Sequence, residues 1–289
     1  MRENQRVSDL EASIGAEVRR RIEDSQMPSV DTAFNRLDQR LSQYKHTLSR
    51  SNLSEEDKDR LRDGLDLVFE GHGEQLRVSD IYPVHVMDVS ELLFDPDGID
   101  CRDGDTALGA LFHDLGEDVK EYRENPGLIG RRYNRTVQSY MQGMITNEWP
   151  SSAKARAIRN IEASQNAAIA VAHNLEYQEN VNKELYEASP VSLIKVSDLR
   201  TNAFTLGEIT NDETRQRLAA KYEGVHSAAM QAIDAMAENK EDLSIHGSLE
   251  SLRQTYARGE GELRGTAREW KHYDVQEKVR RDGLENLFV

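Results

Sequence analysis

The sequence predicts an all-α protein, and three observations support this prediction. Apolar residues recur at intervals of three and four through most of the 289 residues, which is the period of an amphipathic helix. The alternation typical of half-buried strands does not extend over a useful length. Proline, glycine and capping residues divide the chain into segments of helical length. We therefore expect a helical bundle with further helices before and after it.

Composition restricts the partners and the setting of the protein. Lys and Arg total 37 and Asp and Glu total 52, so the net charge is −15, which repels a nucleic-acid backbone. No apolar run reaches the roughly 18 residues of a membrane span, and the N-terminus lacks the apolar core of a secretion signal. The single Cys101 cannot form an intrachain disulfide. We expect a cytoplasmic protein with neither a membrane nor bulk nucleic acid as partner.

Residues 1–55 are predicted to be an N-terminal helical extension, part of which is a linker around Pro28. One helix in this extension carries an apolar stripe formed by Phe34, Leu37, Leu41, Tyr44 and Leu48. This stripe needs an apolar partner. Ser54-Glu-Glu-Asp57 resembles a capping box that begins the next helix, and Gly71-His-Gly73 is a suitable end for it.

Residues 56–210 are predicted to form the central domain. Pro83 suits the first turn of a helix that ends near Asp95-Pro-Asp-Gly98. Asp103 or Asp105 can cap the following helix. We expect that helix to continue to Asn125-Pro-Gly127, which places His113 and Asp114 in its middle. Further helices are predicted at 129–146, 152–180 and 189–208.

Residues 211–289 are predicted to be a C-terminal helical extension, with helices at 211–239, 247–262 and 265–286. Its first helix carries an apolar stripe of Leu218, Tyr222, Val225, Ala229, Ile233 and Met236. The stripes of the two extensions predict either packing on the central bundle or an interface in a homo-oligomer.

The segment Ala110-Leu-Phe-His-Asp-Leu-Gly-Glu-Asp118 contains the candidate site. Imidazole nitrogen and carboxylate oxygen are ligands that Mn²⁺, Fe²⁺ and Zn²⁺ accept, and such an ion can activate water near neutral pH. On a helix, Glu117 and Asp118 would share a face with His113 and Asp114. Either acid could orient the attacking water or protonate the leaving oxygen. The segment therefore indicates metal-assisted hydrolysis.

Metal sites also need donors from outside this segment, and two other predicted helices offer them. His85 comes from the preceding helix, and Asp198 lies in Leu193-Ile-Lys-Val-Ser-Asp198. Together these residues could hold one divalent ion. The predicted metal ligands are His85, His113, Asp114 and Asp198.

Four motifs, in their order along the chain, resemble a known family. They are Gly73-Glu-Gln-Leu-Arg77, Tyr82-Pro-Val-His85, Phe112-His-Asp-Leu-Gly-Glu-Asp118, and Ile194-Lys-Val-Ser-Asp198 with Asn202. Over residues 70–208 the chain resembles the HD-domain hydrolases of RelA/SpoT-type alarmone enzymes, including the small alarmone hydrolases. The resemblance implies an HD-domain helical bundle that hydrolyses the 3′ pyrophosphate of (p)ppGpp with one metal ion, usually Mn²⁺. Nothing after Leu206 resembles the alarmone synthetase domain.

The resemblance also implies roles for individual residues. The same four residues would be the metal ligands, and Glu117 and Asp118 would act on the water. The residues facing the nucleotide would be Arg77, Lys195 and Asn202.

Several positions differ from the family pattern and leave the substrate open. Ser79-Asp-Ile81 stands where the family has a glycine-proline turn, Leu199 where it has arginine, and Thr201 where it has histidine. Arg200 could compensate for the missing arginine. One alternative keeps the metal site but acts on a deoxynucleotide, a nucleoside monophosphate or a cyclic nucleotide. Another is a catalytically silent nucleotide-binding or scaffold protein, against which the intact donor set argues.

Overall fold

The computed structural model describes residues 30–72, 75–77, 80–145, 165–185 and 187–282. In chain order its helices are α1 (Val30–Arg50), α2 (Glu55–His72), α3 (Pro83–Phe94), α4 (Gly104–Leu111), α5 (Leu115–Asp118), α6 (Lys120–Glu124), α7 (Gly127–Arg132), α8 (Arg135–Gly143), α9 (Gln165–Leu185), α10 (Pro190–Phe204), α11 (Asp212–Glu238), α12 (Glu250–Arg268) and α13 (Tyr273–Asp282). A short antiparallel hairpin joins β1 (Leu76–Arg77) to β2 (Asp80–Ile81). The all-α prediction is confirmed, and the hairpin is an addition to it.

Capping side chains begin several helices where the sequence predicts. The Ser54 hydroxyl accepts a hydrogen bond from the Asp57 backbone N–H at 3.1 Å and donates one to the Asp57 carboxylate at 2.7 Å. Pro83 occupies the first turn of α3. The Asp103 carboxylate accepts from the Asp105 backbone N–H at 3.1 Å, so Asp103 is the cap of α4. Local hydrogen bonding at Ser54 and Asp103 and the fixed φ of Pro83 therefore favour these starts.

Two predicted helices of the central segment are wrong. The helix expected to run through His113 and Asp114 ends at Leu111, so the pair lies in the turn between α4 and α5. The segment 129–146 contains two helices, because the Asn134 side chain accepts a hydrogen bond from the Val137 backbone N–H at 2.9 Å and begins α8. A new cap in mid-segment divides the predicted helix.

Other helix boundaries differ by smaller amounts. Helix α9 continues to Leu185, and residues 152–164 of the helix predicted at 152–180 lie outside the described residues. Helix α10 ends at Phe204, before a 3₁₀ turn. Helix α11 matches its prediction closely. Helix α12 continues through the break expected at 262–265, because Leu263 and Ala267 are buried and packing outweighs the low helix propensity of the nearby glycines.

The buried side chains form two hydrophobic clusters, and α3 and α4 contribute to both. The first cluster contains Val86 of α3 and Leu111 of α4 with side chains of α1, α2 and α8. The second contains Val89 of α3 and Ala110 of α4 with side chains of α9 to α12. Helices α3 and α4 are therefore covered on two sides. This places the residues at their ends between the two clusters.

Both apolar stripes of the extensions pack within the chain. In α1 the buried members are Leu37, Leu41, Tyr44 and Leu48, while the Phe34 side chain lies outside the described residues. In α11 most of the stripe is buried in the second cluster. The domain boundaries near residues 55 and 210 stay predictions. Within the ranges described, no helix combines the length and apolar character needed to cross a bilayer.

Gly247 lies where two backbone segments touch, and we expect Gly247→Ala to destabilise the fold. The Gly247 N–H donates to the Ile99 carbonyl at 2.9 Å, and a Cβ at Gly247 would overlap the Gly98 carbonyl oxygen. Because the backbone must shift, we expect the free energy of unfolding to fall by about 1–3 kcal/mol, measured by chemical denaturation. Gly261→Ala is the control, since its Cβ would meet no described atom within 4 Å. Equal stability of Gly247→Ala and the unmodified chain would contradict this expectation.

Candidate metal centre

Helices α3 and α10 and the turn before α5 bring four donor side chains together. The Nε2 atom of His85 lies 3.2 Å from Nε2 of His113 and 3.2 Å from Oδ1 of Asp198. The Nε2 atom of His113 lies 3.0 Å from Oδ2 of Asp114 and 3.5 Å from Oδ1 of Asp198. His85 Nε2 is also 3.5 Å from Asp114 Oδ2. The structure thus gathers all four predicted metal ligands.

These separations suit a single divalent ion. Donors about 2.1 Å from an ion lie roughly 3.0–3.4 Å apart when they are adjacent in octahedral or tetrahedral coordination. The ligand atoms of His85, His113 and Asp114 all lie within 4.8 Å of one another, and Asp198 is next to both histidines. Two imidazoles and two carboxylates are a donor set that Mn²⁺, Fe²⁺ and Zn²⁺ accept. The residues present therefore fit the ion that the sequence predicts.

The turn between α4 and α5 aims His113 and Asp114 at this cluster. The Nδ1 atom of His113 lies 2.7 Å from the carbonyl oxygen of Ala110, so an N–H there directs Nε2 toward the other donors. Such outer hydrogen bonds select the tautomer and orientation of a ligating histidine. Asp114 precedes the first residue of α5, but its side chain forms no capping hydrogen bond. Its carboxylate instead lies beside the two histidines.

The cluster is buried, and its charges control one another. His85, His113 and Asp198 are 7%, 1% and 6% exposed. Burial opposes the charged form of His113, but the carboxylates of Asp114 and Asp198 outweigh it and raise its pKa to about 10. Burial also opposes ionisation of Asp198, yet hydrogen bonds and charges from the two histidines hold its pKa well below the usual range. The carboxylates therefore favour positive charge at the place where the donors meet.

Tyr82 is a site residue that the sequence reasoning missed. Its hydroxyl lies 2.8 Å from Asp114 Oδ2 and 2.5 Å from Asp118 Oδ2. Its ring stacks on the ring of His72, with centroids 4.5 Å apart. His72 is a packed histidine with 0% exposure. The sequence did contain a sign of this contact. Tyr82 is three residues before His85, and this spacing places both side chains on the same side of the helix at its start.

Glu117 and Asp118 face different neighbours. Asp118 is exposed and contacts the Tyr82 hydroxyl. Glu117 lies toward two lysines. Burial lowers the pKa of Lys221 to about 8, and the carboxylates of Asp198 and Glu117 oppose this decrease. Burial has the same effect on Lys195, but Glu184, Asp198 and Glu117 outweigh it and raise the Lys195 pKa. The two acids are therefore suited to different tasks.

The residues predicted to face the nucleotide have different surroundings. Lys195 is 4% exposed, and its Nζ lies 3.5 Å from Glu184 Oε2. The Asn202 side-chain N–H donates to Asp198 Oδ1 at 2.6 Å, so this amide orients a predicted metal ligand. Arg77 lies in β1, and its side chain is outside the described part of the structure. Contacts of all three with a nucleotide stay predictions.

Compensation by Arg200 for the arginine of the family pattern stays a prediction. Leu199 is 1% exposed in the second hydrophobic cluster, and the Thr201 hydroxyl donates to the Ser197 carbonyl at 3.0 Å. Arg200 lines a cavity of about 380 Å³ together with Arg40, and none of the four metal donors lines that cavity.

No family model, curated protein or solved structure matches this chain. The resemblance to HD-domain hydrolases consequently rests on the motifs and not on overall similarity. Any assignment of function depends on the residues of the metal centre, their separations and their charges.

Proposed function

We propose that the protein is a metal-dependent phosphohydrolase of the HD type that removes the 3′ pyrophosphate of (p)ppGpp. The observation that carries this proposal is the convergence of four donors from separate parts of the chain, at separations of 3.0–3.5 Å. The donors are His85, His113, Asp114 and Asp198. A nearby acidic pair and two lysines supply the remaining groups that phosphate hydrolysis requires. The substrate is inferred from the order and type of the motifs.

The chain's own residues divide the work of hydrolysis. A divalent ion, when bound, would supply Lewis-acid activation of water and of a phosphoryl oxygen. Glu117 accepts the proton of the attacking water or returns it to the leaving oxygen. Asp118, in contact with the Tyr82 hydroxyl, orients the water from the other side. Lys195 stabilises the negative charge that develops on the phosphoryl oxygens.

Outer contacts hold three of the donors in place before substrate binds. The Ala110 carbonyl orients His113, the Tyr82 hydroxyl contacts Asp114, and the Asn202 amide donates to Asp198. Preorganised groups stabilise a transition state without having to rearrange during the reaction. These contacts support a catalytic role for the cluster over a purely structural one.

A second candidate function is hydrolysis of a different nucleotide at the same centre. The buried Leu199 favours it, since this side chain brings no cation to the place where the family has an arginine. The substrate would then be a deoxynucleotide, a nucleoside monophosphate or a cyclic nucleotide. The metal ligands and the acidic pair would keep the roles given above.

A nucleotide panel tests these proposals. We expect the Mn²⁺-loaded protein to release pyrophosphate from (p)ppGpp and to leave nucleotides without a 3′-phosphoryl group intact, as measured by chromatography of the products. Asp198→Ala, purified in the same way, controls for contaminating hydrolases. Preference for a nucleotide without a 3′-phosphoryl group would replace the first candidate with the second. Tight alarmone binding without turnover in Mn²⁺, Fe²⁺ and Zn²⁺ would contradict both.

A further inference from the structure

Helix α11 carries two cations whose arrangement the packing of the fold does not explain. Arg217 and Lys221 are four residues apart, so they share a helix face and repel each other. In the ranges that the structure describes, neither forms an ion pair with a carboxylate. Acidic residues outnumber basic ones by 52 to 37 in this chain, so such partners are plentiful. The two charges are therefore not paired with a carboxylate within those ranges, although Asp198 and Glu117 act on Lys221 from a longer distance.

Lys221 lies against aromatic rings, and no described residue accepts a hydrogen bond from its ammonium group. Its Nζ is 3.7 Å from the centroid of the Tyr177 ring and 5.5 Å from that of Tyr222. The ring faces attract the cation, but they do not satisfy the three N–H donors of an ammonium group. Lys221 is half-buried, so its ammonium group is only partly surrounded by protein. An anion with several oxygen atoms would supply what the rings lack.

The Tyr177 ring and Lys195 connect Lys221 to the candidate metal centre. Lys195 faces the same ring, with its Nζ 6.0 Å from the Tyr177 centroid, and it has Glu184 as a partner. Lys195 is also one helical turn from Asp198 on α10. Two lysines therefore flank Tyr177 beside the donor cluster. Lys195 is paired with a carboxylate, and among the described residues Lys221 is not.

A buried polar network holds α11 in this position. The Gln178 side-chain N–H groups of α9 donate to the carbonyls of Ala220 and Lys221 at 3.0 and 3.1 Å. The Gln276 side chain of α13 also donates to the Ala220 carbonyl, at 3.0 Å. A Cβ at Gly224 would overlap the Gln178 side chain, so the helices approach closely. The network determines where Lys221 meets Tyr177.

We propose that Lys221, with Lys195 and Arg217 beside it, forms a phosphoryl-binding subsite next to the metal centre. Its ligand class is a phosphate or pyrophosphate group of the substrate. A compact ammonium binds phosphate as a point charge, and α11 lies outside the segment that resembles the hydrolase family. The substrate's identity as a phosphorylated nucleotide rests on the proposed function. Anion binding, in contrast, can be measured without turnover.

Inorganic pyrophosphate is the probe, titrated by calorimetry into the full chain carrying Mn²⁺ and desalted to remove free metal. Lys221→Met removes the charge and keeps the apolar stem. We expect its Kd for pyrophosphate to rise at least about tenfold, the minimum effect of losing a charged hydrogen bond. Metal content, measured before and after titration, should be unchanged. Lys183→Met removes an exposed lysine paired with Glu179, and it should bind like the unmodified chain.

Equal pyrophosphate affinity of Lys221→Met and the unmodified chain, both with full metal content, would overturn the subsite. Loss of Mn²⁺ from the variant would also overturn it, because Lys221 would then act on the metal centre. Lys221→Gln is measured in parallel by the same criterion, in case the Met variant does not fold. A chain that binds pyrophosphate through Lys221 but hydrolyses no nucleotide would keep the subsite and refute the proposed function.

Discussion

Asp114→Ala is expected to lose the divalent ion and catalytic turnover together. The Asp114 carboxylate lies 3.0 Å from His113 Nε2 and 3.5 Å from His85 Nε2, within the donor cluster. It is one of two carboxylates that would balance a divalent charge in a buried position. Its removal leaves that charge only half neutralised, which is costly in a medium of low dielectric constant.

The expected loss of metal affinity exceeds the 10–100-fold that removal of an outer contact typically causes. Turnover should fall about a thousandfold or more, since metal activation supplies several kcal/mol of transition-state stabilisation. Metal content after dialysis and initial rates of hydrolysis measure the two effects. Asp97→Ala is the control, because Asp97 is an exposed acid paired with Arg50. A variant that keeps one equivalent of metal and normal turnover would exclude the proposed centre.

Glu117→Gln is expected to keep the metal and lose turnover. Glu117 precedes the exposed Asp118 on α5 and lies toward Lys195 and Lys221, whose pKa values its carboxylate raises against the effect of burial. The amide has nearly the same shape as the carboxylate but cannot take up a proton. We expect turnover to fall by about 10²–10⁴, the usual contribution of a general acid or base.

Metal content and kcat, measured on the same preparation, separate the two possible roles of Glu117. Glu121→Gln is the matched control, since Glu121 is an exposed acid four residues later on α6. Unchanged turnover would assign Glu117 to a solvated helix face. Loss of metal would make it a ligand instead of a proton carrier. Comparison with Asp114→Ala therefore distinguishes metal binding from proton transfer.

The sequence predicted where a helix begins when the cause lies in neighbouring residues. Ser54 and Asp103 begin helices through hydrogen bonds to residues two or three positions later, and Pro83 begins one because its ring fixes a helical φ. All three starts agree with the sequence prediction. The break at His113 carried no such signal, because Leu111-Phe-His-Asp-Leu115 contains neither proline nor glycine. In this turn, His113 is hydrogen-bonded to the Ala110 carbonyl and lies beside His85, which is distant in the sequence. Tertiary contacts outweighed the helical pattern there.

The all-α class and the choice of the four candidate donors follow from residue type, spacing and caps, which are properties of neighbouring positions. Their separations could not be deduced in this way, because His85, His113 and Asp198 meet only when α3, α4 and α10 pack together. The same holds for Tyr82 against Asp118, and for Lys221 against Tyr177. Apolar residues spaced three and four apart show which residues share one face of a helix. The distances between two helices depend on how their buried side chains pack, which the sequence does not show directly.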